Sequence, residues 1–244
     1  MNVSFYCLVY KAKLNLHKLI SSMLAPHTCL RCGTEASFML CNNCLDVFNN
    51  PGFLLKRCVI CGKQLISEKE TCLNCREEPL LLHTNSVYPI HSYRLWKKEL
   101  LFQWKITGNR TFSFTAASLY NQVLSSKYPS IPIVPVPPRP GKIFSKGWDQ
   151  INDIAILLKK LYGNTIISML IRTEKKQQKK LNRDERIHQL GHLYELKKNI
   201  TNIPEEVVII DDIMTTGVTL ENCAEVLKRA GVKKVHAVTL FIAD

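Results

Sequence analysis

Residues 207–220 read V-V-I-I-D-D-I-M-T-T-G-V-T-L. Four β-branched apolar residues run into two adjacent carboxylates, Asp211 and Asp212, and then into a loop of hydroxyls around Gly217. Two like charges side by side are unfavourable alone, so a ligand or Mg2+ should offset them. The following loop leads into the start of a helical pattern. Its backbone N–H groups, the hydroxyls of Thr215, Thr216 and Thr219 and the helix dipole suit a phosphate, and Gly217 lets the backbone approach it closely. Carboxylates above a phosphate cradle suit a ribose vicinal diol, held directly or through a metal. An Asp cap before a Thr-rich turn accounts for a lone Asp-Asp pair but not for the whole string.

The second constellation is sulfur. Eight of the ten cysteines form four C-x-x-C pairs: Cys29/Cys32, Cys41/Cys44, Cys58/Cys61 and Cys72/Cys75. A disulfide framework needs an export signal, and the apolar start M-N-V-S-F-Y-C-L-V-Y-K-A-K has neither a positive flank nor a small-residue cleavage site. It is read as a non-secretory leader, and the chain as cytoplasmic. Two thiolates three residues apart can face one point from a tight turn, and four satisfy tetrahedral Zn2+ with no open position. Gly33 and Gly62, each just after a pair, suit the positive φ of such a knuckle. Eight cysteines thus predict two structural zinc sites. Sequential pairing leaves loops of 8 and 10 residues and closes at lower entropy cost. Cross-braced pairing, first pair with third and second with fourth, is also open on spacing alone. Cys223 falls at helical spacing beside Leu220 and Leu227 and is read as core.

These groups need a scaffold. Residues 26–80 are too short and too poor in apolar periodicity to fold without metal staples. Beyond residue 80 the pattern alternates. Strands are expected at 86–91, 131–136, 165–171, 192–196, 206–211 and 233–242. Helices are expected at 94–106, 111–126, 148–161 (with Asp149 or Asn152 near its start) and 216–230, the last closed by Gly231. Residues 172–190 form a polar, basic run. Near-continuous apolar strands alternating with helices predict a parallel, doubly wound α/β sheet, with the carboxylate pair at the carboxyl edge where such sheets bind ligands. The organisation expected is a leader and N-terminal helix over 1–25, a double zinc ribbon over 26–80 and an α/β domain over 81–244.

The 13 residues from Val207 to Thr219 resemble the phosphoribosyl-pyrophosphate (PRPP) motif of type I phosphoribosyltransferases. The resemblance implies that Asp211 and Asp212 hold the ribose hydroxyls, that Thr215, Thr216, Gly217 and Thr219 grip the 5-phosphate, and that Mg2+ accompanies PRPP. V-P-V-P-P-R (134–139) resembles the loop on the pyrophosphate side, which implies roles for Val136, Pro137 and Arg139. K-G-W-D-Q (146–150) resembles the R-G-F-N-Q string of ComF-type proteins and implicates Lys146. Residues 172–186 resemble their mobile loop, carrying Arg172, Lys179 and Arg186. Residues 93–109 resemble a helix with a K-x-x-G pattern, here Lys105 and Gly108, and the cysteine segment resembles a double zinc ribbon. Together these segments are similar to the ComF/ComFC family, amidophosphoribosyltransferase-like proteins of bacterial DNA uptake and transformation. The departures are Lys146 where arginine is usual, Asp149 where asparagine is usual and Gln189 where asparagine is usual. Lysine keeps the charge and loses the bidentate fork. Thr215 stands where purine phosphoribosyltransferases place an acidic base, which argues against purine transfer by that route.

Net charge is +13, which favours polyanionic partners. The basic run and the aromatics Trp96, Phe102 and Trp104 suit a phosphate-tracking, base-stacking surface, with core packing as the plainer role of the aromatics. No stretch approaches the roughly eighteen apolar residues of a membrane span. Three functions stay open. One is a DNA-processing accessory that binds PRPP and single-stranded DNA, with a ComF-type helicase or other competence proteins as partners. The others are a true small-molecule phosphoribosyltransferase and a PRPP-sensing regulator. The residues identify no nucleophile, and whether the chain is an enzyme stays open with them.

Overall fold

The computed structural model describes residues 27–36, 39–49, 56–173 and 193–243. The leader and most of the basic run, with Lys179 and Arg186, lie outside the described residues.

The central strand is Glu206–Met214 (β7). Its β-branched run Val207–Ile210 is buried completely, as a strand covered on both faces must be. β7 pairs in parallel with Lys234–Ile242 (β8) on one side and with Ile133–Pro135 (β4) on the other. Ser86–Ser92 (β3) adds in parallel to the far side of β8, giving the order β3-β8-β7-β4.

Alternation along the strands sorts the two faces. Val208, Ile210, Val238 and Leu240 join one core with residues of the helices Phe112–Lys127 and Gln150–Tyr162. Val207, Ile209, Val235 and Ala237 join a second core with Leu220, Cys223 and Leu227 of the helix Val218–Arg229. Cys223 is fully buried there, as its spacing predicted.

One expected strand divides. Ile166 makes a single parallel bridge to Ile133, and Leu170–Arg172 (β5) then pairs antiparallel with Tyr194–Leu196 (β6) instead of extending the sheet. The reason is the neighbour. β4 is flanked by Pro132 and ends at Pro135, and proline has no N–H to carry a ladder onward.

The cysteine segments, the first of them carrying the short antiparallel pair His27–Thr28 (β1) and Glu35–Ala36 (β2), dock on this domain. Asn42–Asn49 (α1) buries Phe48 completely, with its ring stacked 4.1 Å from that of His91 and 5.7 Å from that of Phe112. Cys29, Leu40 and Cys44 belong to the same core as the two helices on that face. The second cysteine segment covers β3, an edge of the sheet. Val87 N donates to Ile60 O at 2.8 Å, and Arg57 Nη1 donates to Gly62 O at 3.1 Å and Pro89 O at 2.9 Å. An edge strand's unpaired groups are thus satisfied within the chain. A Cβ on Gly62 would lie 2.2 Å from Pro89 Cδ and 2.4 Å from Val87 O, so only glycine lets the knuckle approach this closely.

Candidate functional site

The parallel register brings two loops to one sheet edge. β4 ends beside Ile210, and Val136 N donates to Ile210 O at 3.1 Å, so the chain leaves β4 level with Asp211. Pro137 is half-buried and Arg139 exposed beyond it. Asp211 and Asp212 therefore share the carboxyl edge with the 136–139 loop, as expected of an open α/β sheet.

The carboxylate pair is held from below and countered from the side. Tyr120, fully buried, donates its hydroxyl to the Asp211 carbonyl oxygen. Asp211 Oδ1 accepts from Asp212 N at 2.9 Å. Loss of hydration, and then the Asp212 charge, push the Asp211 carboxyl up to about 8. Asp212 Oδ2 lies 2.7 Å from Lys105 Nζ. Lys105 comes from a π-helical turn, Gln103–Thr107, that continues the helix Trp96–Phe102 and ends on Gly108 at φ +73°. Single π turns gather at functional sites. The K-x-x-G spacing singled out Lys105 in the sequence, but nothing there named its partner.

The K-G-W-D-Q string supports that turn. Asp149 caps the helix Gln150–Tyr162, accepting from Asn152 N at 2.9 Å, and Lys142 Nζ sits 2.5 Å from its other oxygen. Lysine at 142 thus offsets a charge that the usual asparagine would not carry. Gln150, buried, accepts from Lys142 Nζ at 2.7 Å and donates to Lys105 O at 3.4 Å. Lys146 is exposed at the end of the short helix Lys142–Lys146.

Thr215 and Thr216 are exposed on the loop after β7. Gly217 is buried at φ +84°, and a Cβ there would meet Leu81 Cδ2 at 3.0 Å. Gly217→Ala is therefore expected to cost about 1–3 kcal/mol, measured by urea denaturation, because it adds a left-handed non-glycine residue to a tight contact. Thr219 lies in hydrogen-bonding reach of Tyr194, whose phenol burial raises to about 12, and the Arg172 guanidinium stands 5.5 Å from the Tyr194 ring centre. Arg172 thus reaches the vicinity of Thr219. Glu221 carries no signal of its own in the sequence. Its carboxylate accepts from Leu82 N at 2.8 Å, Thr84 N at 3.1 Å and Thr84 Oγ1 at 2.9 Å, tying the segment before β3 to the helix after the loop.

The cysteines fall into two sets, Cys29, Cys32, Cys41, Cys44 and Cys58, Cys61, Cys72, Cys75, with the sulfurs of each set within 4.8 Å of one another. The sequential pairing is the one realised. Cys32 and Cys41 Sγ are 3.7 Å apart, as are Cys61 and Cys72 Sγ. Sulfurs about 2.3 Å from one Zn2+ span tetrahedral edges of about 3.8 Å, so both sets fit the ion. The two knuckles repeat each other: Gly33 N donates to Cys29 O and Gly62 N to Cys58 O, both at 2.9 Å. Each set can hold a structural metal ion.

A parallel sheet with a carboxylate pair and a phosphate-type loop on its carboxyl edge defines a phosphoribosyltransferase-like domain. Residues 153–244 match the family described as "Phosphoribosyl transferase domain". Over 203 residues the chain is 27% identical to "Competence protein ComFC" of Streptococcus pneumoniae (strain ATCC BAA-255 / R6), covering 82% of this chain and 86% of that protein. A solved hypoxanthine phosphoribosyltransferase from Staphylococcus aureus is similar at 19% identity over 53% of this chain and 62% of that one, with a TM-score of 0.32. In its two tetra-cysteine clusters and its match to a phosphoribosyl transferase domain, the chain resembles the ComF/ComFC family.

Core packing, the plainer role of the aromatics, is realised at one of them. Trp104 is completely buried, with Nε1 donating to Ser113 Oγ at 3.1 Å, and offers no face to a nucleobase. Trp96 packs partly buried against the first core, and Phe102 is exposed. An aromatic the sequence did not single out, Phe144, stands 97% exposed between Arg139 and Lys146 in the chain.

Proposed function

We propose that the chain binds PRPP with Mg2+ at the carboxyl edge of its sheet and handles single-stranded DNA in the cytoplasm during natural transformation. The observation that carries the ligand is the Asp211–Asp212 pair at the head of a glycine-turned loop, with one carboxyl pushed up to about 8. An acid held so far above its ordinary range calls for a cation or a polyhydroxyl partner. Thr215, Thr216, Gly217 and Thr219 take the 5-phosphate at the start of the helix Val218–Arg229. Asp211 and Asp212 take the ribose hydroxyls and offer the hard oxygen donors that suit Mg2+. Val136, Pro137, Arg139 and Lys146 line the pyrophosphate side, and Arg172, Lys179 and Arg186 supply further cations to the same ligand. Zn2+ fills the two cysteine sets, making residues 26–80 a double zinc ribbon ahead of a transferase-like domain over 81–244.

The DNA part rests on the +13 charge, the basic run and the ComFC likeness, and a ComF-type helicase is the partner this implies. Phe144, with Arg139 and Lys146, supplies a stacking face that buried Trp104 does not.

At a hundredfold excess over its dissociation constant, Mg2+–PRPP stabilises a protein by about 2.7 kcal/mol, or about 5–10 °C in Tm for a chain of this size. No rise would end the ligand assignment. A PRPP-bound chain that releases no pyrophosphate with a panel of bases and amines is a binder, and one that does is a transferase. Oligo(dT) binding should weaken steeply with salt, and replacing Lys175, Lys176, Lys179 and Lys180 with glutamine should flatten that slope. Absence of binding at low salt would remove the DNA part. If PRPP affinity falls instead of the slope, the run serves the small-molecule site.

A further inference from the structure

We infer that Lys105 is a specificity-determining residue of the PRPP site: it selects ligands that carry an anionic group on ribose C1. The inference rests on the PRPP reading above and adds a residue and a selection rule to it.

The geometry begins with the two faces of the sheet. The phosphate-loop helix Val218–Arg229 packs in the core that holds Leu220, Cys223 and Leu227. The helix Trp96–Phe102 and the π turn bearing Lys105 pack in the opposite core, through Leu100, Leu101 and Trp104. A ribose phosphate seated on the loop and on Asp211–Asp212 has its phosphate end toward the first face. Its C1 end then points toward the second, and Lys105 arrives from that side. The 136–139 loop leaves the sheet one strand away, and Gln150 joins the two regions by accepting from Lys142 Nζ and donating to Lys105 O.

The electrostatics agree. The Lys105 ammonium lies 2.7 Å from Asp212 Oδ2 and its side chain is only 31% exposed, so it is held in place rather than free in water. One carboxylate uses one direction of a lysine ammonium, which has three N–H groups to donate. A diphosphate on C1 would accept from the other two. The same lysine does nothing for a ligand with a neutral C1 hydroxyl. Such a ligand meets a cation already paired with the carboxylate it must approach.

The π turn and Gly108 make this reach possible. The turn widens the helix locally, and the positive φ of Gly108 ends it directly afterwards. Trp148, from the string that supplies Gln150, lies against Gly108, where a Cβ would come 3.6 Å from its Nε1.

The test compares three probes, Mg2+–PRPP, ribose 5-phosphate and inorganic pyrophosphate, on wild type, Lys105→Met and Lys105→Arg by isothermal titration calorimetry. Lys105→Met should weaken Mg2+–PRPP and pyrophosphate by about tenfold or more, the scale of a lost charge-assisted contact. Ribose 5-phosphate should change by less than about threefold or bind more tightly. Lys105→Arg should keep most of the PRPP affinity. Equal weakening of PRPP and ribose 5-phosphate would overturn the inference, because Lys105 would then act only by holding Asp212 in place. Unchanged PRPP affinity in Lys105→Met would overturn it as well. A wild type that binds ribose 5-phosphate but gains nothing from the pyrophosphate overturns the selection rule and keeps the ribose site. A wild type that binds none of the three overturns the underlying reading.

Discussion

Asp211→Asn should make the ligand-free protein more stable and Mg2+–PRPP unable to stabilise it further. The first half follows from linkage. Lost hydration and the adjacent Asp212 put the Asp211 carboxyl at about 8 in the folded chain. In the unfolded chain an aspartate titrates near about 3.9. Between those values the folded state keeps a proton that the unfolded state releases, so the wild type loses stability as pH rises through that window. Asparagine carries no such penalty. The variant's advantage should be close to zero near pH 4, grow with pH, and level off above about pH 8. Asp211 is partly accessible and Lys105 stands near, so a discounted gain of about 1–2 kcal/mol at pH 7 is reasonable, or about 3–6 °C in Tm. The second half follows from the proposed function, in which the same substitution removes an anionic partner of the diol and of Mg2+. Thermal scans from pH 5 to 9 with and without Mg2+–PRPP read both. An apo Tm that falls with the substitution, or a ligand shift that survives it, would contradict the assignment. Asp211→Asn with Asp212→Asn serves as the control in which no ribose contact remains.

That opposition of stability and binding explains why the site could be read in the sequence. A β-branched run ending in two acids breaks the local rule that buried strands avoid adjacent like charges, and such breaks concentrate at functional sites. The C-x-x-C pairs were legible for a related reason, since eight thiols recurring in pairs through a weakly apolar segment exceed what packing alone would ask for. Helices were legible from periodicity, and of the two starts open for the helix Gln150–Tyr162, Asp149 and Asn152, the cap is Asp149. What the sequence hid depends on where side chains meet across the fold. Lys105 could be marked by K-x-x-G spacing, but its pairing with Asp212 depends on a π turn, which has no periodicity of its own. The departure of Leu170–Arg172 from the sheet depends on prolines in β4, a different segment. Trp104, between Gln103 and Lys105, could serve a surface or the core, and only its place in the π turn decides for the core. Glu221 looked like an ordinary first-turn acid, and its partners lie more than a hundred residues away in sequence.

Removing the metal should destabilise the whole described fold rather than the cysteine segments alone. An α/β domain over 81–244 with a core of its own would stay folded on chelation. The packing argues otherwise. Phe48 sits one turn after Cys44 on α1 and is buried among His91, Phe112 and Phe241, residues of the domain. Only a folded first cluster presents it there. Losing a buried phenylalanine costs about 3–5 kcal/mol, so chelation should lower the domain's own Tm by about 10 °C. The second cluster adds to this, because its loss uncovers β3, where Ile60 O accepts from Val87 N. A cycle of Phe48→Ala and chelation isolates the coupling. In the metal-loaded protein Phe48→Ala should cost its full amount. In the chelated protein it should cost little, since the ring has already left its socket. Elemental analysis should give two zinc ions per chain, and near-ultraviolet circular dichroism should lose the aromatic signal together with the metal. A domain transition that chelation leaves unmoved would mean that the two cores are independent and that Phe48 holds its place without help from Cys44.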